Sequence, residues 1–111
     1  MVTEVVKGDT IDFRSRIEEP IIDWKIRATI WDEDDNIIKK ATANSGGTVD
    51  QVQVTDQANG EFIVHILKGE TAGFLDVAQI EVEVEPPTGK VYTLLRDTIV
   101  FSPKKIDWTA P

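Results

Sequence analysis

Cysteine is absent from this sequence, and its absence excludes several kinds of chemistry. The chain can form no disulfide framework, no thiolate zinc site and no cysteine nucleophile. Histidine is nearly absent as well, because His65 is the only one. It alternates with Val64 and Ile66, which we expect to point inward, so the pattern predicts an ordinary surface histidine on the outer face of a strand. One histidine with no second imidazole or thiol favours neither a metal site nor a general base.

Long apolar runs are also missing. No stretch approaches the roughly 20 apolar residues needed to cross a bilayer. Residues 1–8 (MVTEVVKG) have neither the basic start nor the apolar region of a signal peptide. We therefore expect a protein that is made in the cytoplasm and does not insert into a membrane.

Positive charge is in deficit. The sequence has 12 lysine and arginine residues against 20 aspartate and glutamate residues, which gives a formal net charge of −8. A field of this sign repels phosphate groups, so the composition argues against nucleic acid as a partner. The simplest interpretation of the charge is solubility. No phosphate-binding loop or other cofactor motif is present, and we expect no cofactor.

Short alternating runs typical of β-strands make up most of the sequence. The clearest are residues 61–67 (EFIVHIL), 78–85 (AQIEVEVE) and 91–101 (VYTLLRDTIVF), and a Pro-Pro-Thr-Gly turn separates the last two. Such a turn between alternating runs is a hairpin signal. Further runs, which bring the expected total to seven or eight strands, lie at residues 3–6, 10–17, 22–31, 37–40 and 49–55.

This pattern predicts an all-β fold, in which two packed antiparallel sheets form an immunoglobulin-like β-sandwich over residues 1–103. Residues 104–111 are expected to form a C-terminal tail or linker. A small closed barrel is the alternative architecture. We expect Trp24 to fill a central core position, and Phe74 to plug one end of the core from a single helical turn at residues 68–74. A bulge or bend is expected near Arg96 and Asp97.

The acidic turn at residues 32–36 (DEDDN) is the best candidate for a metal site, although a weak one. Asp32, Asp34 and Asn36 have the 1-3-5 spacing of a calcium-binding EF-hand loop. However, Ile37 and Ala43 stand where that loop requires a glycine and a bidentate glutamate. We interpret the segment as a solvated β-turn, since Asp and Asn favour turns through local hydrogen bonds. A calcium-dependent adhesin-like domain is the hypothesis that the spacing leaves open.

A row of carboxylates, Glu81, Glu83 and Glu85, lies on one face of a single expected strand. Catalytic carboxylates of glycosidases face each other across a gap of about 5–10 Å, so a row of this kind predicts a solvated face that resists aggregation. No serine falls in a nucleophile motif, and His65 cannot be tied to any of the serines. We therefore expect a protein that is not an enzyme, with no catalytic residues.

Large aromatic residues outside the expected core are candidates for an interface, because such residues often anchor protein contacts. Trp31 has outward parity at the end of a strand, and Tyr92 lies near the start of the last strand. Ile106 and Trp108 lie in the tail. The tail residues either fold back on the sandwich or continue toward another chain.

The order of these elements resembles a known family. A Gly8-Asp9-Thr10 start leads into a strand, the acidic turn 32–36 follows a long second strand, and a Thr71-Ala72 step lies in a short crossover. The chain closes with the strand Val91-Tyr92-Thr93-Leu94-Leu95-Arg96-Asp97-Thr98-Ile99-Val100-Phe101. From about Val2 to Pro103, this order resembles the small immunoglobulin-like domains of phage tail and baseplate proteins, in particular the N-terminal domain of baseplate upper proteins.

The resemblance implies a non-enzymatic structural component of a virion, or a prophage copy of one. It would act through contacts with other tail or baseplate proteins or through self-association, and the family has no catalytic residues to transfer. The alternative that the residues leave open is a carbohydrate- or cell-surface-binding module. In that alternative, Trp31, Tyr92 and the acidic loops would form the site.

Overall fold

The computed structural model describes residues 2–42 and 52–102 of the chain. These residues form eight β-strands: β1 (Val2–Val6), β2 (Ile11–Arg16), β3 (Lys25–Trp31), β4 (Ile37–Ala41), β5 (Val52–Asp56), β6 (Glu61–Ile66), β7 (Val77–Glu85) and β8 (Tyr92–Ser102). The described part of the chain contains no helix, and hence none that is long and apolar enough to cross a membrane. The expected all-β fold of seven to eight strands is confirmed.

The strands lie in two separate sheets, so the closed barrel is wrong. One sheet has five strands in the order β1-β8-β7-β3-β4, and the other has three in the order β2-β6-β5. All strand pairs are antiparallel except β1 and β8, which are parallel from the pair Val2 and Thr98 to the pair Val6 and Ser102. The expectation of purely antiparallel sheets is therefore wrong at this edge. Parallel neighbours need a long connection, and here nearly the whole chain lies between the two strands.

The core lies between the two sheets and follows from the alternation of side chains. On β3 the buried residues are Ile26, Ala28 and Ile30, and on β7 Ala78, Ile80, Val82 and Val84 face the same layer. Phe62, Val64 and Ile66 of β6 supply the opposite layer. Trp24 precedes β3 and is only partly buried against this cluster. Its expected central place is taken by the alternating residues of the strand itself.

The connection between β6 and β7, residues 67–76, crosses from one sheet to the other. We call it the crossover. It contains hydrogen-bonded turns rather than the expected helical turn, with Ala72 N donating to Gly69 O at 3.2 Å and Phe74 N to Thr71 O at 3.0 Å. The expected role of Phe74 is confirmed, because it is buried and packs edge-to-face against Phe101 with ring centroids 5.9 Å apart.

The expected irregularity in the last strand is present but lies two residues earlier. Leu95 pairs with Val82 and Thr93 with Glu83, so Leu94 is the extra residue of a bulge. Arg96 and Asp97, where the bulge was expected, remain in the ladder opposite Glu81 and Ile80.

Candidate functional site

The acidic turn between β3 and β4 is organised by one carboxylate, Asp32. Its Oδ1 accepts hydrogen bonds from the backbone amides of Asp34 and Asn36, both at 3.0 Å. Its Oδ2 accepts one from Asn36 Nδ2 at 2.9 Å and one from Leu75 N at 2.8 Å. Asp35 completes the turn at a φ of 60°, a left-handed conformation that aspartate tolerates. Asp32 is therefore buried and fully engaged in holding the turn.

These contacts set the ionisation of Asp32. Burial acts to raise the pKa of this carboxyl, but the hydrogen bonds from Leu75, Asn36 and Asp34 outweigh burial and lower the pKa below its ordinary value of 3.8. Asp32 is therefore an anion at neutral pH. Among residues 2–42 and 52–102, no group of three or more His, Cys, Asp or Glu side chains is arranged to hold a metal ion. The contacts of Asp32 are those of an Asx-type turn, as the sequence predicted.

The crossover is fixed to its surroundings by polar side chains. Lys40 of β4 is buried, and its Nζ lies 2.8 and 2.9 Å from the two carboxylate oxygens of Glu70. Buried Thr71 accepts a hydrogen bond from Gly8 N at 2.8 Å. Asn36 Nδ2 donates to Gly73 O at 3.1 Å, next to the bond between Asp32 and Leu75. Together these contacts set the position of Leu75 and Asp76 beside β3.

A surface depression lies between this crossover and Trp31. It has a volume of about 780 Å³, and we call it the Trp31 groove. Its lining residues are Trp31, Asp32, Glu33, Leu75, Asp76, Val77, Ala78 and Gln79. Leu75 and Val77 are exposed at 39% and 49%, and Ile37, the cross-strand partner of Trp31, is exposed at 54%. A groove with apolar walls and exposed apolar neighbours is typical of a binding surface.

Trp31 also borders a second, more polar depression of about 300 Å³, together with Arg27, Thr29, Glu81 and Glu83. The carboxylate row that the sequence predicted to be solvated is half-buried and paired here. Arg27 Nη2 lies 2.7 Å from Glu83 and 3.1 Å from Glu85, and Arg96 Nε lies 2.8 Å from Glu81. Arg27 Nε is buried without a hydrogen-bond partner in the described part of the chain.

The predicted interface candidates do not form one site. Tyr92 is 52% exposed and pairs with Val84, whereas Trp31 pairs with Gln79 of the same strand. These two partners, Gln79 and Val84, are five residues apart along β7, which corresponds to about 16 Å. Trp31 and Tyr92, which the carbohydrate alternative placed in one site, therefore lie at different levels of the sheet. Ile106 and Trp108 lie outside the described residues, and the predicted tail at 104–111 stays a prediction.

His65 lies on the outer face of the three-stranded sheet, as predicted. Its Nδ1 is 2.9 Å from Asp12 Oδ1 and its Nε2 is 2.9 Å from Gln53 Oε1. Both contacts are to side-chain oxygens on neighbouring strands, and among the described residues no serine or threonine hydroxyl is hydrogen-bonded to the ring. The arrangement orients the imidazole but supplies nothing for it to activate.

Five lining residues were missed as site residues in the sequence: Leu75, Asp76, Val77, Ala78 and Gln79. The parity of β7 contained part of the signal, because Val77 and Gln79 have the same outward parity as the glutamates of that strand. The position of Leu75 follows from its backbone bond to Asp32, 43 residues away, and no local pattern reports such a contact. The fold and groove define an all-β, two-sheet protein with a surface depression suited to binding.

Comparison with known proteins assigns the chain to no family. A scan against protein-family models found no match, and a search of the curated proteins found no significant match.

Proposed function

We propose that this protein is a non-enzymatic assembly module of a phage or prophage tail or baseplate, which acts in the virion through protein–protein contacts. The Trp31 groove is the observation that carries the proposal. It joins a large aromatic side chain to exposed Leu75 and Val77 on one end of the five-stranded sheet, and exposed Ile37 is the cross-strand partner of Trp31. Contiguous apolar surface of this kind marks protein interaction sites, and tryptophan is enriched among the residues that dominate interfaces.

We also infer that the two-sheet architecture is immunoglobulin-like. The order β1-β8-β7-β3-β4 facing β2-β6-β5 supports this inference. It corresponds to a G-F-C sheet extended by a C′ strand on one side and by an N-terminal strand on the other, facing a B-E-D sheet. This topology is also the one that the resemblance to phage tail domains implies.

The proposed function is tested on intact particles. Virions, or particles released by inducing the prophage that encodes the chain, are purified on a density gradient and analysed by quantitative mass spectrometry. We expect the chain at a fixed copy number relative to the major tail protein, and retained after a high-salt wash. A chain that is synthesised in the same cells but missing from the particles contradicts the proposal.

A carbohydrate-binding module is the second candidate. The observation that favours it is the position of Trp31 between two depressions, beside the planar polar side chains of Arg27 and Gln79. Sugars bind by stacking on an aromatic ring while such groups bond their hydroxyls. A glycan array tests it: a sugar bound by the wild type and lost in Trp31→Ala supports this candidate, and an array without signal contradicts it.

A further inference from the structure

We infer that the occupant of the Trp31 groove is a cationic protein segment, one that alternates or clusters apolar residues with lysine or arginine. The inference deepens the proposed assembly function and rests on it for the class of ligand, a protein. It assigns the chemistry of that ligand from the charges and the apolar walls of the groove.

The charge of the groove has one sign. Three carboxylates line it, those of Asp32, Glu33 and Asp76, and the described residues that line it include no lysine or arginine. Asp34 and Asp35 add two further exposed carboxylates in the same turn. A complementary partner is therefore positively charged, because like charges placed together at an interface weaken binding strongly.

Two of these carboxylates can meet a partner, one unpaired and one already in an ion pair. Asp32 is occupied by its own turn, but Glu33 is exposed, and its side chain makes no hydrogen bond or ion pair in the described part of the chain. Asp76 is 83% exposed at its side chain and contacts Lys7 Nζ at 2.9 Å through Oδ1 alone. Its Oδ2 remains open to a second cation.

The apolar walls specify the rest of the ligand. Leu75 and Val77 are exposed beside the Trp31 ring, and a purely hydrophilic ligand leaves them in water. A leucine-like side chain placed against them removes apolar area from water on both partners. The indole of Trp31 attracts a neighbouring guanidinium or ammonium group through its negative π face. A segment that carries both apolar and cationic groups can therefore contact the apolar walls and the Trp31 ring at the same time.

A second copy of this chain fits the groove poorly. The formal net charge of −8 makes two copies repel, and the groove surface itself supplies carboxylates rather than cations. The charge pattern thus favours a different protein over self-association.

The test is a titration followed by NMR at the indole N–H of Trp31, assigned with Trp31→Phe. The probe is a synthetic peptide that alternates leucine and arginine, compared with a leucine–glutamate peptide and a serine–arginine peptide. We expect the leucine–arginine peptide to shift the Trp31 signal and to bind tightest of the three. Replacing these two carboxylates, in the double variant Glu33→Gln with Asp76→Asn, should weaken binding about tenfold at low ionic strength, and less at high salt.

A matched control separates the groove from the general acidic field. The double variant Glu18→Gln with Glu19→Gln removes the same charge from exposed residues outside the groove. It should weaken binding much less than the groove variant does, because neither residue lines the groove and a more distant charge interacts more weakly with the peptide.

Three results would overturn the inference. The first is that the two double variants weaken binding equally, and the second is that none of the peptides shifts the Trp31 signal. The third is that the Trp31 signal broadens as the protein concentration rises without peptide, as in self-association. A failure of this inference can be distinguished from a failure of the proposed function. The particle analysis measures whether the chain is a virion component, and its result does not depend on what the groove binds.

Discussion

At the scale of single residues, Gly60 is the clearest requirement of the fold. It has a φ of +72°, and a Cβ built there would lie 1.9 Å from the carbonyl oxygen of Ile17. The two backbone segments are also hydrogen-bonded, because Ile17 N donates to Gly60 O at 2.9 Å. Only glycine meets both the backbone conformation and the space.

Gly60→Ala should therefore lower the free energy of unfolding by about 3–5 kcal/mol, because the new methyl group must displace backbone. The matched control is Gly89→Ala, where φ is +84° and no atom lies within 4 Å of the added Cβ. The control should lose only about 1 kcal/mol, the cost of the left-handed conformation alone. Urea denaturation measures both. Equal losses would show that the chain does not approach Gly60 as described.

Asp32 predicts how stability depends on pH. Its pKa in the folded protein is lowered below 3.8, so its contribution to stability is fully present above that value. The contribution is lost as the pH falls through the lowered folded pKa. Asp32→Asn should melt below the wild type at neutral pH, because the amide group cannot accept all four hydrogen bonds, and the gap should narrow in acid below about pH 3.8.

Thermal melts across pH check this expectation. The control is Asp34→Asn, since no side-chain contact of Asp34 is present among the described residues. It should melt like the wild type throughout. A gap between Asp32→Asn and the wild type that stays constant down to pH 2 would contradict the role given to the Asp32 carboxylate.

At the scale of elements, the Lys40–Glu70 pair connects β4 to the crossover. The Lys40 side chain is 4% exposed and that of Glu70 is 29% exposed, so the pair is only partly screened by water. Glu70 Oε1 also accepts a hydrogen bond from Leu67 N at 2.6 Å, which holds the carboxylate in place. Removing either partner leaves a desolvated charge on the other.

A double-mutant cycle measures this coupling. Lys40→Met and Glu70→Gln should each cost about 2–4 kcal/mol, less than a fully buried pair because Glu70 is partly exposed. The double variant should cost less than the sum, with a coupling of about 1–3 kcal/mol. Additive losses would mean that the two side chains do not interact in solution.

The elements show what the sequence can predict. Alternation of apolar and polar residues identified the strands and most of their faces, because successive side chains of a strand point to opposite faces of the sheet. The burial of Lys40 beside Ile38 on β4 was not predicted, because its partner Glu70 lies 30 residues away and has no local signal. The pairing of the glutamate row with Arg27 and Arg96 was missed for the same reason, since it depends on the register of three strands.

The candidate site was predictable only in part. Trp31 was identified because alternation along a strand indicates which face of the sheet each single residue occupies. The groove itself was not predictable, because it forms where the crossover returns beside β3, and that path is fixed by the contacts of Asp32, Asn36 and Glu70. Tyr92 had an equally good signal in the sequence but lies at another level of the sheet.

At the scale of the whole molecule, the two sheets differ in width. Five strands face three, and β1 closes one edge of the wider sheet by its parallel pairing with β8. The wider sheet also carries the groove on its outer face, at the end where the β3–β4 turn meets the crossover. The architecture thus places the groove between paired strands and the crossover, with three carboxylates in its lining.

We expect this domain to contact another protein at Trp31. Photocrosslinking inside purified particles tests it most directly, with Trp31→p-benzoylphenylalanine compared with Thr55→p-benzoylphenylalanine, an exposed position on the three-stranded sheet. We predict that position 31 crosslinks to a different protein of the same particle and that position 55 does not. Crosslinking of position 55 alone, or of neither position in particles that contain the chain, would contradict the account.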